Sequence, residues 1–206
     1  MVEASNVELA RLMLKTGAVK FGVFTLTSGR LSPYYVDLRV IPSYPSALRR
    51  VVDMYQRVVE EDVGLDAVDR VAGVPTAGMP FASIIAYNNM KPFLYVRKEV
   101  KPHGRERRIE GVLKPGDRVL IVDDLATTGK SGLSAVEAIQ AEGGVVEHVV
   151  VLVDREEGAA EALAERGVKL HPVIGIGDLA DRLVEIGAIT EEQRREILAQ
   201  REKKKG

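Results

Sequence analysis

One stretch of this sequence sets two acids against a turn of small hydroxyl residues: Val119-Leu120-Ile121-Val122-Asp123-Asp124-Leu125-Ala126-Thr127-Thr128-Gly129-Lys130-Ser131. An apolar run ends in carboxylates, turns through small residues and opens a helix. A helix start exposes unpaired amides and the positive end of the dipole, so Thr127 to Ser131 can wrap a phosphate with N–H groups, Gly129 allowing close approach. Two carboxylates beside such a cradle repel a phosphate, and the ligand must present hydroxyl donors or a metal-bound group to them. A ribose phosphate meets both demands, its 5′-phosphate in the loop and its 2′,3′-diol against Asp123 and Asp124. Other nucleotide motifs fit less well. A P-loop needs glycine five positions before the Gly129-Lys130-Ser131 triplet, where this chain has Asp124, and no Rossmann fingerprint follows the strand.

Two further clusters carry charge suited to anions. From Arg97-Lys98-Glu99-Val100-Lys101-Pro102-His103-Gly104 to Glu110 the chain holds six Lys or Arg, three Glu and one His, with turn formers and no apolar periodicity. It reads as a mobile basic loop able to close over a phosphorylated leaving group, neutralise its growing charge and exclude water. Asp154-Arg155 ends the next apolar run, where a guanidinium can grip a carboxylate in a bidentate fork.

Elements must place these groups. Ser5-Asn6-Val7-Glu8 has capping-box spacing and predicts a helix start, Gly17 a helix stop, and residues 21–35 a region of hairpins and turns. Helices are expected near 46–61, 79–89, 131–142, 158–166, 179–186 and 191–200, and strands near 67–74, 93–96, 118–122, 145–153 and 169–174. Continuously apolar strands alternating with helices define an α/β chain with a mostly parallel sheet. The 206 residues suit one compact unit, residues 1–60 forming a small cap. The tail Lys203-Lys204-Lys205 reads as a frayed, solvated end.

Composition removes whole classes. No cysteine means no disulfide framework, thiolate metal site or cysteine nucleophile, and a net charge of −1 gives no global attraction to nucleic acid or an anionic membrane. No signal-like segment opens the chain and no apolar run reaches a membrane span, which makes a cytoplasmic protein the expectation.

The apolar strand, two acids and Thr-Thr-Gly-Lys-Ser turn resemble the phosphoribosyl pyrophosphate signature of type I phosphoribosyltransferases. The resemblance implies a twisted, mostly parallel sheet flanked by helices, a small N-terminal hood, and Mg²⁺ carried by the pyrophosphate with no direct protein ligand. Residues 21–37, Phe-Gly-Val-Phe-Thr-Leu-Thr-Ser-Gly-Arg-Leu-Ser-Pro-Tyr-Tyr-Val-Asp, resemble the N-terminal signature of orotate phosphoribosyltransferases, which helps to form the orotate pocket. Carried over residue by residue, the likeness implies phosphoribosyl pyrophosphate contacts from Arg97, Lys98, Lys101, His103 and the 123–131 loop, including Leu125 and Ala126, and orotate contacts from Thr127 and Arg155. It implies catalytic roles for Lys101, His103, Asp123 and Asp124, and a homodimer whose loops cross into the partner's site.

The resemblance covers roughly residues 6 to 180, with two departures. Thr27 and Thr76-Ala77 stand where several bacterial members carry lysines or a Tyr-Lys pair near the pyrophosphate, leaving fewer fixed cations. Amides of the Gly73-Val74-Pro75-Thr76-Ala77-Gly78 turn remain available. Two other readings stay open: transfer to a purine or uracil, and a regulator that senses phosphoribosyl pyrophosphate and binds nucleic acid. The hairpin signature and Arg155 weigh against the first, and the balanced charge against the second.

Overall fold

The structure, a computed structural model, describes residues 2–25, 29, 31–97 and 108–202. Its centre is a six-stranded sheet in the order β5-β4-β3-β6-β7-β8. The strands are β3 (Arg70–Gly73), β4 (Phe93–Val96), β5 (Ile109–Glu110), β6 (Val119–Ala126), β7 (His148–Asp154) and β8 (Lys169–Gly175). All neighbours are parallel except β4 and β5. Runs such as Val119–Val122 and Val149–Val153 are buried on both faces because helices cover both. On one side α4 (Lys130–Ala141) and α5 (Ala159–Ala164) pack on Ile121, Val149 and Val151; on the other, α2 (Pro45–Val58) and α3 (Gly78–Asn88) pack on Leu120, Val122 and Val150.

From β3 the chain crosses to β4 on one side, and from β6 it passes to β7 and β8 on the other. The carboxyl ends of β3 and β6 therefore flank the point where the winding reverses, the place where open α/β sheets leave a crevice for ligands. Both candidate phosphate turns, 73–78 and 123–131, leave the sheet at that point.

The first 60 residues add α1 (Val2–Thr16), an antiparallel hairpin of β1 (Val19–Thr25) and β2 (Leu31–Val36), a 3-10 turn at Leu38–Ser43 and α2. Leu9, Met13, Tyr34, Ile41 and Tyr55 from this segment are buried in the same core as Leu179 and Leu183 of α6 (Ile176–Glu185). A last helix, α7 (Glu191–Glu202), packs against α6 and β2.

Several boundaries differ from expectation for identifiable reasons. The first helix starts at Val2, so Ser5 lies inside it, and Glu8 does not complete a capping box: its carboxylate takes Arg50 of α2 in a bidentate pair at 2.7 and 2.6 Å. Ordered α-helix stops at Val58 and not at Glu61. Glu60, Glu61 and Asp62 oppose the dipole at a helix carboxyl end, the turn loosens to π geometry at Val59–Val63, and left-handed Gly64 ends it. β3 begins only at Arg70, since Asp69 and Arg70 are occupied in fastening its start to β6: Arg118 grips Asp69 at 2.8 and 2.9 Å and Arg70 pairs with Asp117. Most consequential is β6, which runs past Val122 to Ala126 and so holds both acids on strand geometry. The chain segment 98–107 and the 203–206 tail lie outside the described residues; Ile109–Glu110, the end of the basic segment, form β5.

Candidate active site

Residues 127–131 form the turn that opens α4. Gly129 caps α4 with φ +79°, a left-handed conformation glycine adopts without strain, and a side chain there would press to 3.3 Å from the Ala159 backbone. Among the described residues no side chain caps this helix start, so its first amides have no side-chain partner there. Residues Asp123, Leu125 and Ala126 to Ser131 line a small cavity of about 90 Å³. Ala126 itself is buried, its carbonyl accepting the Arg155 amide at 2.9 Å, which seats β7's end beside the turn.

The larger cavity, about 810 Å³, lies between this turn, the 74–77 turn and the β1–β2 hairpin; Asp123, Asp124, Leu125, Thr127, Ser131 and Arg155 all reach its wall. Asp123 is held from three sides. Tyr55 donates its phenol to the Asp123 carbonyl at 2.7 Å, the carboxylate accepts the Asp124 amide at 2.9 Å, and Gly78 lets the start of α3 come close enough that an added Cβ would lie 2.9 Å from Asp123 Oδ1. Burial pushes the Asp124 carboxyl above the ordinary carboxylate value, against the opposing pull of its hydrogen bonds with Asp123 and the local amides and of the Arg39 charge. Ionised Asp124 is thus kept in a place that disfavours bare charge, and donors such as sugar hydroxyls relieve that cost.

Arg155, 7% exposed, lines the same cavity. Its Nε lies 3.0 Å from the Tyr34 phenol and 3.0 Å from Glu157, and its guanidinium stands 4.8 Å from the Tyr34 ring centre. Its Nη2 is buried without a hydrogen-bond acceptor among the described residues. A buried donor left in that state is costly, and a carboxylate or carbonyl entering the cavity would satisfy it.

Arg97 is placed differently. It borders a separate pocket of about 180 Å³ with Pro75, Arg108, Lys130 and Ser131, next to the 74–77 turn. The ends of the basic segment are tied here: the Arg97 amide donates to the Arg108 carbonyl at 2.7 Å, and Arg108 returns bonds to the Arg97 carbonyl and to Ser134 Oγ on α4 at 3.2 and 2.9 Å. Thr76 and Ala77 line the large cavity, whereas Lys98, Lys101, His103 and Thr27 lie outside the described residues.

Sequence reasoning gave no role of their own to four residues, of which Asp37 lies within the hairpin signature and Arg108 within the basic segment. Lys20, Asp37 and Arg39 line the large cavity, with Arg39 clamped by both oxygens of Asp37 at 2.7 and 3.0 Å, and Arg108 ties the stem of the loop. Asp37-x-Arg39 carried a readable signal, since an Asp that accepts the amide two residues on starts a helical turn and presents its oxygens to that residue's side chain. Lys20 carried none.

Comparison with known proteins agrees with this geometry. The phosphoribosyl transferase domain model matches residues 45–177. The chain is 42% identical to orotate phosphoribosyltransferase of Cenarchaeum symbiosum, over 88% of this chain and 91% of that one. Among solved structures, orotate phosphoribosyltransferase from Aeropyrum pernix is 40% identical with a TM-score of 0.78, covering 88% of this chain and 99% of that one. Leishmania donovani UMP synthase superposes with a TM-score of 0.85 at 37% identity, across 98% of this chain but 43% of that longer one. The chain belongs to the type I phosphoribosyltransferases, and within them to the orotate phosphoribosyltransferases.

Proposed function

We propose that the 810 Å³ cavity is where this chain, as an orotate phosphoribosyltransferase, joins orotate to C1 of phosphoribosyl pyrophosphate and releases pyrophosphate. What carries the assignment of parts is the sequence of wall chemistries around one crevice: amide-rich turn, paired acids, then a buried guanidinium with an unmet donor. The 5′-phosphate sits on the start of α4, the ribose diol donates to Asp123 and Asp124, and the pyrophosphate extends toward the 74–77 turn and the pocket bordered by Arg97, Arg108 and Lys130. Orotate lies under the hood hairpin, its polar edge on Arg155 and Thr127.

The C1–O bond breaks with its electron pair leaving on pyrophosphate, and the orotate ring nitrogen supplies the pair for the new C1–N bond from the opposite face. No covalent bond to the protein forms. Asp123 and Asp124 orient the ribose and place negative charge near the developing positive centre, an effect strengthened by their burial. Lys101 and His103, with Lys98, serve the departing pyrophosphate. Leu125 and Ala126 act through the backbone that leads into the turn.

No group of three or more His, Cys, Asp or Glu able to hold a metal occurs among the described residues. Mg²⁺ would arrive on the pyrophosphate, since that ion binds through substrate phosphates and only one or two carboxylates, and Asp123 and Asp124 on the cavity wall are compatible with that. Bound there, the ion neutralises leaving-group charge. The reading extends to residues 1–60 as a hood, to a homodimer with shared loops and to a cytoplasmic location; no helix among the described residues is long and apolar enough to cross a membrane.

The direct test follows loss of orotate absorbance with phosphoribosyl pyrophosphate and Mg²⁺, with uracil, hypoxanthine and adenine in parallel and an EDTA control. Turnover of orotate alone, abolished by EDTA, is the expected result. Turnover of a purine would overturn the assignment of Arg155 to the base.

A further inference from the structure

Arg155 reaches the cavity from a turn that ought not to be stable by itself. Glu156, the next residue, has φ +55°, a left-handed conformation that costs a non-glycine residue free energy unless its surroundings hold it. Its side chain is where the holding occurs. The Glu156 amide donates to Asp154 at 2.9 Å, its carboxylate takes Arg201 Nη1 at 2.7 Å, and the same carboxylate fills the space left by Gly175 and Gly177 at the start of α6. A helix start favours that negative charge.

Arg201 lies on α7, outside the matched domain region of 45–177. Ile197, four residues earlier on the same helical face, is buried in the core, and Arg194 pairs with Asp181 of α6 at 2.5 Å, so the helix is anchored before it reaches the turn. Its neighbour Gln200 reaches the other side of Arg155. Gln200 Oε1 lies 2.9 Å from Ser32 Oγ, a nearly fully buried hydroxyl that also lies 2.8 Å from the Tyr34 carbonyl, and Tyr34 is the residue whose phenol meets Arg155. Two consecutive side chains of α7 thus bracket the guanidinium, one through Glu156 and one through β2.

We propose that α7 is a strap that sets base affinity, with Arg201 a positioning residue for Arg155. The inference rests on Arg155 meeting orotate. Its consequence is selective: these α7 bonds go to Glu156, Ser32 and Asp181 and to no residue of the 127–131 or 74–77 turns, so loosening the strap disturbs the base side first.

The test is steady-state kinetics with each substrate varied in turn. Arg201→Ala should raise KM for orotate about tenfold and leave KM for phosphoribosyl pyrophosphate within about twofold, because a misplaced group costs binding where it acts. Arg201→Lys should recover most of the loss. Gly175→Ala, with φ −82° acceptable to alanine, displaces the Glu156 carboxylate from the other side and should reproduce the same split. Combining it with Arg201→Ala should add little, since both act through Glu156. Equal changes in both KM values, or none in either, would overturn the strap. Arg155→Lys separates the two ideas: if it leaves orotate KM unchanged, the base assignment falls and the strap with it; if it raises orotate KM while Arg201→Ala and Gly175→Ala do not, only the strap falls.

Discussion

The two halves of the cavity are built in opposite ways. On the proposed ribose phosphate side, nine consecutive residues, 123–131, bring acids, turn and helix start together, and the backbone itself is the proposed binding surface. The proposed base side has no such run: Tyr34 comes from β2, Arg155 and Glu157 from the end of β7, and Gln200 and Arg201 from the last helix, joined by side-chain bonds between residues 45 to 168 positions apart. A contiguous site tolerates rearrangement elsewhere in the molecule. An assembled one depends on every element that meets there, and its affinity can be adjusted from a distance.

The largest effect should come from Asp124→Asn. Losing a charge held beside the reacting centre is expected to lower kcat/KM about 10²–10³-fold. Stability should move the other way. Because burial raises the folded pKa of Asp124, the wild type is favoured while the group is protonated and loses that advantage as pH rises through the raised value; the Asn variant, without this loss, should melt higher at neutral pH. For the same reason the acid limb of wild-type kcat/KM should fall at a higher pH than an ordinary carboxylate would give. A variant that loses activity and also loses stability at neutral pH would break the account of a strained acid.

Next is Gly129→Ala, which forces a side chain into a left-handed position and against Ala159. About 1–3 kcal/mol of destabilisation and at least a tenfold rise in KM for phosphoribosyl pyrophosphate are expected, with orotate KM little changed. A change confined to orotate would remove the division between the two halves. Smaller again is Arg108→Ala. It releases the stem of the basic segment from α4 and should raise the pyrophosphate-side KM roughly threefold to tenfold, a loss that Arg108→Lys would restore only in part because lysine lacks the planar fork.

The same division explains what could be read in advance. Alternating apolar runs and helical periods placed the β-α rhythm of the sheet, and the 123–131 turn and its helix start were legible because every participating atom is local. Residue pairs such as Arg155 with Tyr34 and Arg201 with Glu156 left no mark in spacing, since partners 121 and 45 positions apart are chosen by the fold. Boundaries were blurred where tertiary bonds overrode local preference: Glu8 answers Arg50 instead of its own helix start, and the two acids remain on β6 because strand pairing with β7 continues to Ala126. Lys20 is at the cavity only because the hairpin folds over the sheet.

The smallest effect on activity should come from a pair outside both halves. His148 Nδ1 lies 3.0 Å from His171 Nε2 on β7 and β8, with His148 at the amino end of its strand and His171 nearly fully buried. Burial, with the charges of His148 and Lys169, pulls His171 down to about 4, against a weaker opposite influence from Asp62. Since the folded value is depressed, the stability associated with neutral His171 is present above the unfolded value near 6.5 and is lost as pH falls from there through about 4, where the unfolded chain binds the proton first. His171→Gln should flatten the melting temperature across that window relative to wild type while leaving both KM values unchanged at pH 8. A kinetic change confined to one substrate would mean that the sheet's amino edge communicates with that half of the cavity, and the separation between a local phosphate side and an assembled base side would have to be redrawn to include it.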